Sequence, residues 1–171
     1  EELVSQIYSF LNHPAFEGED IVIMPDCHAG EGSCIGFTMK LNQYVIPNVV
    51  GVDIGCGIDG YNLGPIKMDD RDFKDLDDFI RNNIPSGFSI HNNKHLFVRR
   101  HIELFEDVKG VVAKLDLDES KVLRAVGTLG GGNHFIEMNK DPKENYWLTV
   151  HSGSRNFGLQ VAQYHQRKAK A

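Results

Sequence analysis

The sequence lacks any apolar run of the roughly 20 residues that a membrane-spanning helix needs. Its first residues, Glu1-Glu2-Leu3, lack the basic segment that opens a secretory signal. It has three cysteines, without the regular spacing of a secreted disulfide scaffold, and its formal net charge of -6 leaves no basic excess. These absences predict a soluble, cytoplasmic protein with no membrane partner, and they disfavour a broad basic face for nucleic acid.

The sequence also lacks an initiator Met at position 1, and it stops within an apparent helix at Ala171. We therefore expect a truncated chain, the product of a longer one. Its composition, 41% hydrophobic and 25% charged, is that of a globular core. Repeats, low-complexity tracts and linkers are missing as well, so the sequence predicts one α+β domain over 1–171, with mixed strands and surface helices.

Apolar spacing predicts the order of the elements. The first strand, at 21–24, is expected to be buried, to end at Pro25-Asp26 and to feed a long glycine-bearing loop. Pro47 places the start of a second strand at a sheet edge or bulge. Strands are predicted at 21–24, 44–52, 135–138 and 146–150, and helices at 70–84, 96–115 and 157–171.

A glycine-rich turn, 51–57, carries Asp53 and Cys56 three residues apart. Its glycines free the backbone to bend, so that a carboxylate and a thiolate can converge on one ion, or on two if the sulfur bridges them. His134 and His151 each lie where a glycine loop meets a strand, which suits a fixed imidazole ligand. A turn aspartate beside a buried thiol remains the alternative interpretation.

A second glycine cluster, Gly130-Gly131-Gly132, leads through Asn133 and His134 to Glu137. It lacks the ending of a phosphate-binding Walker loop. Strict strand alternation would separate His134 from Asn133 and Glu137, so a shared site requires a bulge or a strand that begins after His134. A glycine hairpin with a buried amide is the alternative.

Two further positions carry candidate chemistry. Arg155 follows Ser152-Gly153-Ser154 and precedes the last predicted helix, a favourable place to hold phosphate, although a solvated arginine fits equally. Asp26 and His28 form either an acid/base pair or a turn.

Four ordered motifs resemble the RtcB family of GTP-dependent RNA ligases. They occur in the family's order along most of the chain and are long enough to be specific. The motifs are Met24-Pro25-Asp26-Cys27-His28-Ala29-Gly30-Glu31-Gly32, Val49-Val50-Gly51-Val52-Asp53-Ile54-Gly55-Cys56-Gly57, Gly127-Thr128-Leu129-Gly130-Gly131-Gly132-Asn133-His134-Phe135-Ile136-Glu137 and Val150-His151-Ser152-Gly153-Ser154-Arg155.

The resemblance implies an RtcB-like catalytic fold of which this chain is the N-terminal part, with two Mn²⁺ ions and GTP as cofactors. General coordination chemistry would instead favour zinc for thiolate and imidazole ligands. By resemblance, the bridging thiolate belongs to Cys56, Arg155 holds phosphate and Asp26 orients the nucleophile. The implied metal ligands are Asp53, Cys56, His134 and His151, and the implied guanylate-binding residues are Asn133, His134, Phe135, Ile136 and Glu137.

The implied activity joins RNA 3'-phosphate or 2',3'-cyclic phosphate ends to 5'-hydroxyl ends through histidine-guanylate and RNA-guanylate intermediates. Its partners are tRNA halves or broken RNA ends, with an activating protein as a further candidate. The guanylylated histidine and one more metal-ligating histidine have no matching position before Ala171, and His165 stands in no matching motif, so the isolated chain is expected to be inactive. The alternatives are a guanylate-capping enzyme that processes RNA or DNA 3'-ends, or a non-catalytic metal- or nucleotide-binding fragment.

Overall fold

The computed structural model describes residues 1–30, 33–51 and 54–171. The described residues fall into two compact units: an N-terminal unit within Glu1–Val52 that also takes in Ala162–Ala171, and a central unit within Asp53–Val161. Helices and antiparallel strands occur in both, so the predicted α+β class is confirmed. The expectation of one domain over 1–171 stays a prediction.

The N-terminal unit is built on a two-stranded antiparallel sheet. A cluster of aromatic rings joins helix and sheet, with Phe10 5.5 Å from Phe16 and 5.0 Å from Phe37 between ring centroids. Phe16 is buried there, 6% exposed. The elements are α1 (Glu2–Leu11), a 3-10 turn (Pro14–Phe16), β1 (Ile21–His28), β2 (Ile35–Met39) and α2 (Pro47–Val50).

Two predictions in this unit are wrong in detail. The first strand does not end at Pro25 but continues to His28, because a register shift between Ile23 and His28 accommodates a residue that cannot donate a ladder hydrogen bond. It is also less buried than expected, since Val22 is 58% exposed. The strand predicted at 44–52 is replaced around Pro47 by the helix α2, because proline in the first turn presets a helical φ and needs no donor.

The central unit contains a three-stranded antiparallel sheet in the order β3-β5-β4, formed by β3 (Gly57–Gly64), β4 (Phe135–Lys140) and β5 (Tyr146–Ser152). The last two strands confirm the sequence prediction. β3 was not predicted, because its glycines and polar residues give no apolar alternation. It forms by pairing with β5 from Gly57 opposite Ser152 to Gly64 opposite Tyr146.

Four helices accompany this sheet among the described residues. α3 (Asp70–Asn83) confirms the predicted surface helix and begins at a reciprocal capping box, in which the side chains of Asp69 and Asp72 each accept the other's backbone N–H. The single helix predicted at 96–115 is wrong: it is divided into α4 (Leu96–Arg100), a 3-10 turn (Ile102–Phe105) and α5 (Glu106–Lys114).

The break lies at His101, whose φ of -130° is not helical. The predicted apolar stripe is nevertheless buried, with Val98 0% and Val112 3% exposed. Leu123, also 0% exposed, comes from α6 (Glu119–Ala125), a helix that was not predicted. Together these side chains form the core beside the sheet.

The last predicted helix is confirmed as α7 (Asn156–Lys170). Among the helices of the described residues, none is both long enough and apolar enough to cross a bilayer.

Candidate metal centre

Three metal-ligating side chains converge in the central unit. The ligand atoms of Cys56, His134 and His151 all lie within 4.8 Å of one another. Cys56 Sγ is 3.3 Å from His134 Nε2, and the two imidazole rings meet edge to face with centroids 5.3 Å apart. The thiol is exposed and both histidines are half-buried, so the cluster is open to an ion from solvent.

Strand pairing explains this convergence. In the β3–β5 ladder Ile58 lies opposite His151, and in the β4–β5 ladder Phe135 lies opposite the same histidine. Cys56 immediately precedes β3, whose first residue, Gly57, pairs with Ser152 next to His151, so its thiol lies at the same end of the sheet as that histidine. β4 begins at Phe135, immediately after His134. His134 is therefore released from strand alternation, which is the condition that the sequence analysis set for a shared site.

Two glycines make room for the ligands. At Gly130, which has a φ of +100°, the space that a Cβ would fill is taken by His134 Nδ1 and the Nη1 amino group of Arg155. A Cβ at Gly153 would lie 2.7 Å from Cys56 Sγ, closer than real contacts allow. Neither position has room for a Cβ. The backbone of Gly130 packs against His134, and the backbone of Gly153 packs against Cys56.

Arg155 lies beside this cluster and is half-buried. Its Nε donates to Thr128 Oγ1 at 3.0 Å and its Nη2 donates to the carbonyl oxygen of Gly87 at 2.5 Å. Its backbone has a φ of +59°, in the left-handed region that few residues other than glycine adopt. The predicted phosphate-holding role of Arg155 stays a prediction.

The predicted guanylate-binding residues divide between the two faces of the sheet. Glu137 shares the His151 face and accepts a hydrogen bond from Asn139 Nδ2 at 3.0 Å, and the same Nδ2 also donates to Thr149 Oγ1. Ile136 lies on the opposite face, where it lines an apolar cavity of about 450 Å³. Asn133 is exposed in the loop before β4.

Two other predicted residues stand apart from this description. Asp53 lies outside the described residues, so its role as a ligand stays a prediction. Asp26 is an exposed residue of β1 in the N-terminal unit. Its backbone carbonyl oxygen, not its carboxylate, is 3.0 Å from His28 Nδ1, so this contact is a turn-like hydrogen bond rather than an acid/base pair.

Sequence reasoning missed the residues that support the ligands. Ser154 Oγ donates to the carbonyl oxygen of Ile54 at 2.5 Å, which ties the residues before Cys56 to the end of β5. Thr128 and Gly87 receive the Arg155 side chain. Thr128 belongs to one of the four motifs, but nothing in the sequence around Gly87 indicates a contact with a residue 68 positions away.

The spacing of Cys56 and His134 fits two ligands of one metal ion. Cys and His ligands on one tetrahedral ion, with bonds of about 2.0–2.3 Å, lie roughly 3.4–3.6 Å apart. The Cys56 Sγ to His134 Nε2 distance of 3.3 Å is close to that value. A thiolate also has lone pairs with which to bridge to a second ion. The described donor set therefore suits a divalent transition metal; its thiolate and imidazoles favour zinc, and the expectation of manganese rests on the resemblance.

Comparison with known proteins identifies relatives of this chain. The family model described as "tRNA-splicing ligase RtcB" matches residues 6–171. The RNA-splicing ligase RtcB of Escherichia coli strain K12 is 32% identical over 159 residues, which cover 84% of this chain and 38% of that protein. The tRNA-splicing ligase RtcB of Methanococcus maripaludis is 26% identical over 205 residues, covering 94% of this chain and 42% of that protein.

A eukaryotic relative, RNA-splicing ligase RtcB homolog 1 of Entamoeba histolytica, is 28% identical over 190 residues, covering 82% of this chain and 36% of that protein. This chain thus spans about two fifths of the length of the curated relatives that it matches. The family match extends from residue 6 to residue 171. On that match the chain belongs to the RtcB family.

Proposed function

We propose that the complete protein is an RNA ligase that joins 3'-phosphate or 2',3'-cyclic phosphate ends to 5'-hydroxyl ends, using GTP and manganese. The observation that carries the proposal is the convergence of Cys56, His134 and His151 in a chain that belongs to the RtcB family. The substrates are tRNA halves or broken RNA ends, and the reaction runs through histidine-guanylate and RNA-guanylate intermediates. We also propose a cytoplasmic location and an activating protein partner.

In this proposal the ligand set of the chain is Cys56, His134, His151 and Asp53, with the sulfur of Cys56 shared between two ions. Cysteine binds metal as a thiolate and histidine binds it as a neutral imidazole. Protons therefore compete with the metal, and binding is weaker at low pH. When bound, the ions supply positive charge that neutralises phosphate and polarises it toward attack. The residues around the ligands fix the positions of the ligand side chains: Gly130 packs against His134, and Gly153 packs against Cys56.

In the same proposal, the nucleotide binds on the His151 face of the sheet. Glu137 lies two pairs along from Phe135 and His151 in the β4–β5 ladder, and Asn133 lies in the loop that precedes β4. A carboxylate and an amide offer acceptors and donors that suit a purine edge. Arg155 and the start of α7 supply positive charge and backbone N–H groups that favour phosphate. Asp26 is proposed to orient the nucleophile.

The test uses the protein expressed from its complete reading frame. Purified protein is incubated with Mn²⁺, radiolabelled GTP and an RNA that carries a 3'-phosphate and a 5'-hydroxyl end. We expect label on the protein, then on the RNA, and finally a joined strand without label. His151→Ala should abolish all three, whereas Cys27→Ser, a thiol of the N-terminal unit, should not.

Other outcomes would contradict the proposal in distinct ways. Capped RNA that is never joined would indicate a guanylate-capping enzyme. Binding of metal or GTP without any label on protein or RNA would indicate a non-catalytic binding protein.

A further inference from the structure

We infer that Arg155 is a positioning residue of the metal centre: its guanidinium clasps the glycine loop 128–132 and thereby sets the place of His134. The inference rests on the proposed metal site and deepens it. It assigns Arg155 a role through the protein's own oxygen atoms, in addition to any contact with phosphate.

The first observation is the set of atoms that the guanidinium holds. Nε donates to Thr128 Oγ1, at the start of the loop, and Nη2 donates to the carbonyl oxygen of Gly87, in the segment after α3. Thr128 is only 6% exposed, and its hydroxyl donates to the carbonyl oxygen of Ala125 at 2.6 Å, so it is fixed in turn to the end of α6. Arg155 therefore joins three separate segments.

The second observation is that these segments are also joined by their backbones. Gly87 N donates to Gly130 O at 2.7 Å, and Leu129 N donates to Pro85 O at 2.9 Å. Ser86 and Gly130 form an isolated parallel bridge. Nη2 of Arg155 therefore donates to the segment around Gly87, whose backbone is hydrogen-bonded to the glycine loop.

The third observation connects the clasp to the ligand. Nη1 of Arg155 and Nδ1 of His134 both lie next to Gly130, close to the position that a Cβ of a larger residue would take. His134 presents its other nitrogen, Nε2, to Cys56 Sγ at 3.3 Å. A shift of the guanidinium would release the backbone against which the imidazole rests, and Nε2 would then move relative to the sulfur.

The left-handed backbone of Arg155 supports the same role. A φ of +59° is unfavourable for an arginine, and such conformations persist where the surroundings determine them. Here the side chain has two hydrogen-bond acceptors in fixed positions, and α7 begins at the next residue.

The positive charge of Arg155 makes the direction of the change in metal affinity informative. A cation near a bound metal ion repels it, so removing only that charge should tighten metal binding. Removing a clasp should weaken it, since loss of the outer partners of a metal ligand typically costs roughly 10–100-fold in affinity. The two readings of Arg155 thus predict opposite changes.

The experiment titrates the metal-free complete protein with Co²⁺ and follows its visible d–d bands and its sulfur-to-cobalt charge-transfer band. For Arg155→Ala and Thr128→Val we expect roughly 10–100-fold weaker binding. At saturation the charge-transfer band from Cys56 should remain, while the d–d pattern changes because His134 is displaced. Thr128→Ser keeps the hydroxyl and should restore wild-type affinity.

Arg155→Lys separates charge from shape, because an ammonium retains the charge but not the planar fork. It should bind Co²⁺ as weakly as Arg155→Ala. Arg81→Ala is the control: it removes an exposed guanidinium that pairs with Asp77 on α3, and its binding should match the wild type. If Arg155→Ala does not fold, the Thr128→Val and Thr128→Ser pair carries the test.

Affinity that is unchanged or higher in Thr128→Val and in the arginine variants would overturn the inference. That result differs from failure of the proposed metal site, in which the wild-type protein itself would show no sulfur-to-cobalt band, and failure of the ligase activity is measured separately by the labelled-GTP assay.

Discussion

Gly130→Ala is the most informative single substitution, because Gly130 contacts both His134 and Arg155. A Cβ at this position would occupy the space of two side-chain nitrogens, and the φ of +100° disfavours any residue with a Cβ. The backbone contribution is about 1–2 kcal/mol. Overpacking adds about 1–3 kcal/mol. We therefore expect unfolding free energy to fall by about 2–5 kcal/mol, a large share of a typical total of about 5–15 kcal/mol.

Gly132→Ala is the matched control in the same loop. Gly132 also has a positive φ, +70°, but nothing lies within 4 Å of the place where its Cβ would be. This variant should pay only the backbone cost of about 1–2 kcal/mol. The difference between the two alanine variants isolates the clash with His134 and Arg155.

Urea denaturation measures both variants, and Co²⁺ titration reports their metal sites. Gly130→Ala should lose about 1–3 kcal/mol more than Gly132→Ala. It should also bind the ion at least about tenfold more weakly, because the imidazole is displaced. Equal stability and equal affinity in the two variants would refute the packing that we describe around Gly130.

The remaining predictions concern the sulfur ligand, its glycine support and one carboxylate. Cys56→Ser should lower metal affinity by more than the roughly 10–100-fold typical of outer partners, and unchanged manganese stoichiometry would contradict its role. Gly153→Ala places a Cβ 2.7 Å from Cys56 Sγ. Calorimetry should show metal binding weakened about tenfold or more, and wild-type affinity would contradict the close packing of Gly153 against Cys56. The side-chain amide of Asn145, with further hydrogen bonds from Trp147 and from backbone N–H groups, holds the pKa of Asp141 below its usual value, against burial, which acts in the opposite direction. That contribution to stability is therefore present above the unfolded pKa of about 3.9 and is lost as pH falls through the lower folded pKa. Trp147 Nε1 donates to Asp141 Oδ2 at 3.2 Å, so tryptophan fluorescence should change with a midpoint below about 3.9, and Asp141→Asn should abolish that change; a midpoint above it would contradict the hydrogen bonding.

The elements that were predicted correctly are those whose causes are local. The helix α3 has apolar residues at helical spacing and its own capping box at Asp69. The strands β4 and β5 have β-type composition next to glycine or turn residues. In each case the signal lies within a few residues of the element, so a single sequence suffices.

The elements that were missed or wrong depend on distant partners or on one backbone angle. β3 has little apolar character and forms because β5 pairs with it along its length. The predicted helix at 96–115 is interrupted where His101 leaves the helical region, although the surrounding apolar spacing is continuous. Pro47 was interpreted as a strand-edge residue, but it starts a helix. Propensity is a weak guide where tertiary pairing decides.

The candidate metal ligands could be predicted more fully than the residues that hold them in position. Cys56, His134 and His151 are chemically distinctive and lie at the ends of predicted strands, and the structure brings these three together. The clasp formed by Arg155 with Thr128 and Gly87 joins residues 27 and 68 positions away. Such contacts leave no local pattern, because hydroxyls and backbone carbonyl oxygens occur everywhere in a chain.

The position of bound manganese tests the central claim most directly. Crystals of the complete protein grown with Mn²⁺ would be measured at the manganese absorption edge, so that anomalous scattering locates each ion. The account predicts two anomalous peaks that share Cys56 Sγ, with His134 and His151 also within bonding distance of an ion. Manganese bound elsewhere, with no peak at Cys56, would contradict it.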